Sequence, residues 1–301
     1  LTSAGVGIAS VGVAMAGALT DMTKAAVEYE RQSALTFTQL DKQKGSVKEI
    51  EDIGKRVARA IPVPFEQLQT SLYDIFSSMD VSVKGAEVLL TEFSKAAVGG
   101  QVELQEAARG TIGIMNAYNM KFQEVYRVND VMFQLVRKGV GTYGEFARTI
   151  GRSVPSAVRA GQSIEDLAGM MAFLTRNGLS AAMASASAAR ALDAISHPNT
   201  VKKLDGLGKI IRDMTGMTNQ QALKTFGKSI LDVGVQARDA SGNFRPMTDI
   251  MKDLGQVLMK LPPADRVAVL QEIFKGSGGT IQARRFFDIA IKQYPQLISL
   301  T

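Results

Sequence analysis

The chain has 301 residues, 46% hydrophobic and 21% charged, enough to bury a sizeable core and too apolar for wholesale disorder. It has no cysteine and one histidine, His197. Disulfides, thiolate metal sites and cysteine nucleophiles are therefore excluded, and a triad or two-histidine metal site has only His197 to build on. Thirty-five Lys and Arg against 29 Asp and Glu leave +6, spread without a long cationic run, which argues only weakly for nucleic acid.

Residues 1–20, LTSAGVGIASVGVAMAGALT, carry no charge. The length matches a membrane span, but glycines and alanines dilute the apolarity, and no basic stretch precedes it as in a secretory signal. Gly5, Ala9, Gly12 and Ala16 recur at steps of three and four, so they share one helix face on which backbones approach closely. The favoured reading is a long apolar helix buried among other helices or between identical subunits. Membrane entry is the sharper alternative. The chain opens on Leu1 and stops abruptly at Thr301, and reads as a piece of something longer.

From Asp21 onward helix follows helix. The first extends to about Lys44 and Gly45 ends it. Ser46 caps the next, with Glu49 as its capping-box partner, and the helix stops before Pro62. After Pro64, Phe65, Leu68, Leu72, Ile75, Phe76 and Met79 make one apolar stripe. Leu89, Leu90, Phe93 and Ala97 end at Gly99-Gly100. Ala107, Ala108, Ile112 and Met115 close near Asn119. Val128, Val131, Met132, Leu135 and Val136 end at Gly139. Thr142 and Glu145 form a second capping box, and Pro155 is expected to kink or end that helix. Ser163 caps a helix ending at Asn177-Gly178, and an Ala/Ser-rich helix from about Ser180 to Ile195 stops at Pro198. The Gly, Ala and Ser content predicts closely approaching helices, and short loops favour antiparallel neighbours. Val233 to Met247 breaks the rhythm. Alternation at Val233, Val235 and Ala237, then turn residues Asp239 to Asn243, predicts a small β-hairpin. Helices resume at Met247 and run to Gly276-Ser-Gly-Gly279. The organisation is all-α, an array or bundle of short amphipathic helices: 1–44, an apolar helix and its extension; 45–200, a multi-helix core; 201–301, a helix–hairpin–helix part.

The candidate chemical constellations reduce to structure. Glu49, Glu51 and Asp52, with Lys48, fall in the first turns of a helix, where negative charge offsets the dipole. Asp239 to Asn243 has the look of a calcium loop, but the twelfth position is Ile250, which cannot close an EF-hand. Gly276 to Gly279 lacks the phosphate-loop Lys-Ser/Thr. His197, before Pro198 at a helix end, reads as a capping group. Lys202, Lys203, Lys209 and Arg212 make a solvated basic face, and the 14 methionines fill the apolar stripes. No catalytic, cofactor-binding or metal residues emerge.

The ordered set of segments resembles the core region of phage tail tape measure proteins. An apolar Ala/Gly helix precedes Ala25-Ala-Val-Glu-Tyr29-Glu-Arg-Gln-Ser33-Ala. Gly161-Gln-Ser-Ile-Glu-Asp-Leu-Ala168 and Asn177-Gly-Leu-Ser-Ala-Ala are similar to the family's central helices and glycine joint, and Ala188-Ala-Arg-Ala-Leu192 to its Arg/Leu helix. Asp239-Ala-Ser-Gly-Asn-Phe-Arg-Pro-Met-Thr-Asp249-Ile-Met-Lys-Asp-Leu254 is the most specific stretch. Glu272-Ile-Phe-Lys-Gly276 resembles a Phe-Gly signature interrupted by Lys275. The resemblance covers roughly residues 5–290. It implies a non-enzymatic virion protein in the lumen of the tail tube, which helps set tail length and assembly. It also implies release at infection to help DNA cross the host envelope. The partners implied are sister copies, with a trimer among the arrangements, tail tube and tail tip proteins, and the host membrane. A membrane-active or pore-forming helical protein unconnected with a tail is the competing class.

Overall fold

The computed structural model describes residues 31, 46–276, 286, 287, 289, 290 and 293, and among these the regular structure is helical. Local signals open the helices where they are expected. Ser46 accepts from the Glu49 amide while the Glu49 carboxylate accepts from the Ser46 amide at 2.8 Å, starting α1 (Val47–Ala60). α1 stops ahead of Pro62, whose ring disfavours helical geometry at the residue before it. α2 is Phe65–Ser78, α3 Val83–Gly100 and α4 Leu104–Ala117. By its internal contacts the chain divides into two compact units, 1–112 and 113–301.

In the first unit α1, α2 and α3 all pack on one another. Ile50, Ile53, Leu68, Leu72, Ile75, Leu89, Leu90 and Phe93 are fully buried between them, so the stripe read from the sequence points inward. Arg56 grips Glu87 through two hydrogen bonds of 2.7 and 2.8 Å, joining α1 to α3. Gln67 and Asp74 of α2 hold the start of α4. The Gln67 side-chain oxygen accepts from the Leu104 amide, and Asp74 accepts from Gln105 and Arg109.

The second unit contains α5 (Val125–Lys138), α6 (Tyr143–Ile150), α7 (Val154–Arg159), α8 (Ile164–Arg176), α9 (Ala181–Ser196), α10 (Pro198–Asp205), α11 (Leu207–Thr215), α12 (Asn219–Phe226), α13 (Met247–Leu258) and α14 (Pro263–Ile273). α8 is its hub, packed by α5, α7, α9 and α13. Nine of its residues, Ile164, Leu167, Ala168 and Met170 to Thr175, are buried, as expected of a helix apolar on nearly every side. The Ala/Ser helix α9 makes the close approaches its composition predicts. Ser185 donates to the Thr149 carbonyl at 2.7 Å and to Ser153 at 3.1 Å.

Three expectations need correction. No β-hairpin forms at 233–247: an isolated antiparallel bridge, Arg238 to Phe244, is the whole of the pairing. The backbone groups a ladder needs are engaged elsewhere. The Val235 amide donates to the Leu204 carbonyl and the Val233 carbonyl accepts from the Gly208 amide. On the returning arm Pro246 has no N–H to give. Pro155 does not end α6, which stops at Ile150. It sits in the first turn of α7, where its missing N–H costs nothing. His197 caps the start of α10 rather than only the end of α9, its Nδ1 accepting from the Asn199 amide at 3.2 Å.

The apolar segment 1–20, with Gly5, Ala9, Gly12 and Ala16, lies outside the described residues, as do residues 277–279. Among the described residues no helix is long and apolar enough to cross a membrane, so a transmembrane helix finds no support.

Candidate functional site

The neighbourhood of the α8 N-terminus gathers two segments singled out in the sequence. Gly161, at φ 64°, turns the chain sharply out of α7. Ser163 then caps α8, donating to Asp166 at 2.6 Å and accepting from the Asp166 amide at 3.1 Å. Between them lies Gln162, 4% exposed. Its amide nitrogen donates to the Ala160 and Arg245 carbonyls, both at 3.0 Å, and its oxygen accepts from the Met247 amide. One side chain thus ties the 161–168 segment to the 239–254 segment. Sequence reading identified both stretches and missed the residue joining them. A glutamine beside a helix cap has no local periodicity to betray it.

The turn that Gln162 holds is closed by its own side chains. The Asp239 carboxylate accepts from the Ser241 and Asn243 amides, both at 2.9 Å. Both bonds go to the same oxygen, Oδ1, which fastens the turn from within. The Arg238 guanidinium lies 4.1 Å over the Phe244 ring, and Arg245 pairs with Asp253 at 2.9 Å.

α5 and α8 run side by side in the same direction. Arg127 near the start of one makes two hydrogen bonds, 2.6 and 2.8 Å, to Glu165 at the start of the other. A Cβ built on Gly139, just past the end of α5, would lie 2.9 Å from the Thr175 hydroxyl and 3.3 Å from the Ala172 Cα. Between the helices is a cleft of about 270 Å³. Val131, Gln134, Leu135 and Lys138 form one wall, and Glu165, Ala168, Gly169 and Ala172 the other. Each set is one helical face at steps of three and four.

The Arg127 guanidinium holds the Glu165 carboxyl below the usual carboxylate range, against the opposing effect of burial. Arg56 does the same to Glu87 in the first unit. Burial pushes the Tyr118 hydroxyl up, helped by the Asp166 and Glu165 charges, so Tyr118 stays neutral. A carboxylate whose folded-state pKa is depressed adds stability that is present above its unfolded pKa and lost as pH falls through the folded one. Stability by urea unfolding is therefore expected to hold from neutrality down to the ordinary carboxylate range, then decline. The slope should flatten in a Glu87→Gln/Glu165→Gln variant. Both pairs are partly exposed, so each contributes less than about 1 kcal/mol. An unchanged slope in the variant would refute the assignment.

Among the described residues no cluster of His, Asp and Glu has the arrangement of a metal site. Lys203, expected on a solvated face, instead donates to the Glu272 and Lys275 carbonyls, at 2.5 and 2.9 Å, closing the end of α14. What the arrangement offers is a shaped, charged surface on a firmly tied helical array.

A family model described as phage-related minor tail protein matches residues 47–275. A probable tape measure protein of Clostridium phage phiCD119 is 26% identical over 152 residues, covering 50% of this chain and 16% of that protein. The chain thus corresponds to a small part of that relative's length. No solved structure matches the chain.

Proposed function

The chain belongs to the phage-related minor tail protein family and is tape-measure-like, and from that premise we propose that it is a folded, non-catalytic region of a tail protein that acts in tail assembly. The observation that carries this reading is the coincidence of the family match, residues 47–275, with the helical array of α1 to α14. A measuring rod needs long extended helix, about 1.5 Å per residue. The longest helix described is α3, with 18 residues, and within each unit the helices pack on one another. This region is therefore an anchoring or nucleating part of the protein, with the length-setting role belonging to the longer chain around it. Residence in the tail tube lumen or tip, a small number of sister copies such as a trimer, and departure ahead of the DNA towards the host envelope complete the proposal.

Deleting residues 47–275 from the gene in its phage tests it. Drawn out as a continuous helix, this span would be roughly 340 Å long. Loss of assembled tails is the expected result by electron microscopy. Tails that assemble and are shorter by about that length would make the region a ruler and overturn the proposal, as would tails of unchanged length and number.

A further inference from the structure

We propose that the cleft between α5 and α8 receives Leu223 of a second copy of this chain, forming a head-to-tail contact between copies. The inference deepens the tail-protein reading, on which several copies share one tail, and it rests on that reading.

The cleft has apolar walls at Val131 and Leu135 and a floor of small residues at Ala168 and Ala172. A Cβ built on Gly169 meets nothing within 4 Å, so the space above the floor is open. Its volume, about 270 Å³, suits a large apolar side chain together with the edge of the helix that carries it. No lining residue is itself an exposed large hydrophobe, so two clefts set face to face would not fill one another. The knob must come from another surface.

α12 supplies one. Leu223 is 50% exposed, and Phe226, one turn later on the same face, is partly exposed. No acidic residue lies between Asp213 and Asp232. Lys224 and Lys228 are exposed, and the Lys260 ammonium stands 5.8 Å over the Phe226 ring. The knob therefore lies on a stretch whose charged side chains are all cations. The rim of the cleft is charged in the complementary order. At its N-terminal end stand Glu165 and Asp166, with Arg127 bridging Glu165 and Glu124 beside them, and Lys138 marks the other end. An α12 laid antiparallel to α5 and α8 puts Leu223 over Gly169 while Lys224 and Lys228 approach the acidic end. Screened charges of this kind set orientation more than affinity. Because the two surfaces differ, the contact is heterologous and builds a closed ring or an open chain of copies.

The absence of cysteine makes the test clean. Leu223→Cys and Gly169→Cys chains, mixed in equal amounts and oxidised, should give a crosslinked pair, and neither alone should do so efficiently. By sedimentation, Leu223→Arg and Gly169→Arg should each raise the association midpoint of the 301-residue chain at least tenfold. Both positions are open, so circular dichroism should be unchanged. An equimolar mixture of the two Arg variants should form one-to-one dimers, since each retains one intact surface. A wild-type chain that stays monomeric, association untouched by either substitution, or Arg variants that fail to pair would overturn the contact. If the contact passes while deletion of residues 47–275 leaves tails unaltered, the tail reading fails and the contact stands.

Discussion

Gly208→Ala is expected to destabilise the second unit by at least about 3 kcal/mol, or to prevent its folding. Gly208 lies at the start of α11, and a Cβ there would sit 1.5 Å from the Ile230 carbonyl oxygen and 3.1 Å from the Val233 carbonyl oxygen. Both obstacles are backbone, so no rotamer change relieves the overlap. The Gly208 amide also donates to the Val233 carbonyl at 2.7 Å, and displacement would break that bond. Gly234 answers from the other side, its would-be Cβ 2.5 Å from the Asp205 carbonyl oxygen. Gly169→Ala is the control. It is a helical glycine with open space around it, and alanine there should stabilise by about 0.5–1 kcal/mol. Urea midpoints of the two variants should move in opposite directions. Equal shifts would refute the backbone clamp.

Gln162→Leu should cost about 2–4 kcal/mol. The substitution keeps the volume but strands the Met247 amide and the Arg245 and Ala160 carbonyls in a buried place, and each orphaned group costs about 1–3 kcal/mol unless water reaches it. Gln162→Glu should not recover the loss at neutral pH: a carboxylate can accept from Met247 but has no N–H for the two carbonyls, and its buried charge would face both of their oxygens. Hydrogen exchange at Met247 should accelerate in both variants. If Met247 exchanges at the wild-type rate in both, Gln162 does not hold the turn.

The helices were legible wherever their causes are local. Ser46 with Glu49, Thr142 with Glu145, and Ser163 all cap as read, because a cap is an interaction over three residues that the sequence displays whole. The burial of Leu68, Leu72, Ile75 and Phe93 follows from periodicity alone. The stretch at Asp239 reads as a turn and is one, its carboxylate accepting from the Ser241 and Asn243 amides within four residues. The resemblance to tape measure proteins was carried by the order of segments, and the family match over residues 47–275 agrees with it.

Other features were settled by groups far apart in the chain. Val233 to Ala237 has strand-like alternation, yet Leu204 and Gly208 take its hydrogen bonds before a second strand can. Lys203 reads as a surface charge until α14 brings the Glu272 and Lys275 carbonyls to it. Gln162 joins residues more than 80 positions away, and the cleft exists only because α5 and α8 lie parallel with small residues between them. Sequence alone determined the helical character, the starts of the capped helices and their apolar faces, because those follow from contacts within one or two turns. Tertiary structure decided where the unpaired backbone groups between helices find partners. A donor or acceptor leaving a helix end must be satisfied by whatever element packs there, and no local pattern specifies which one that is.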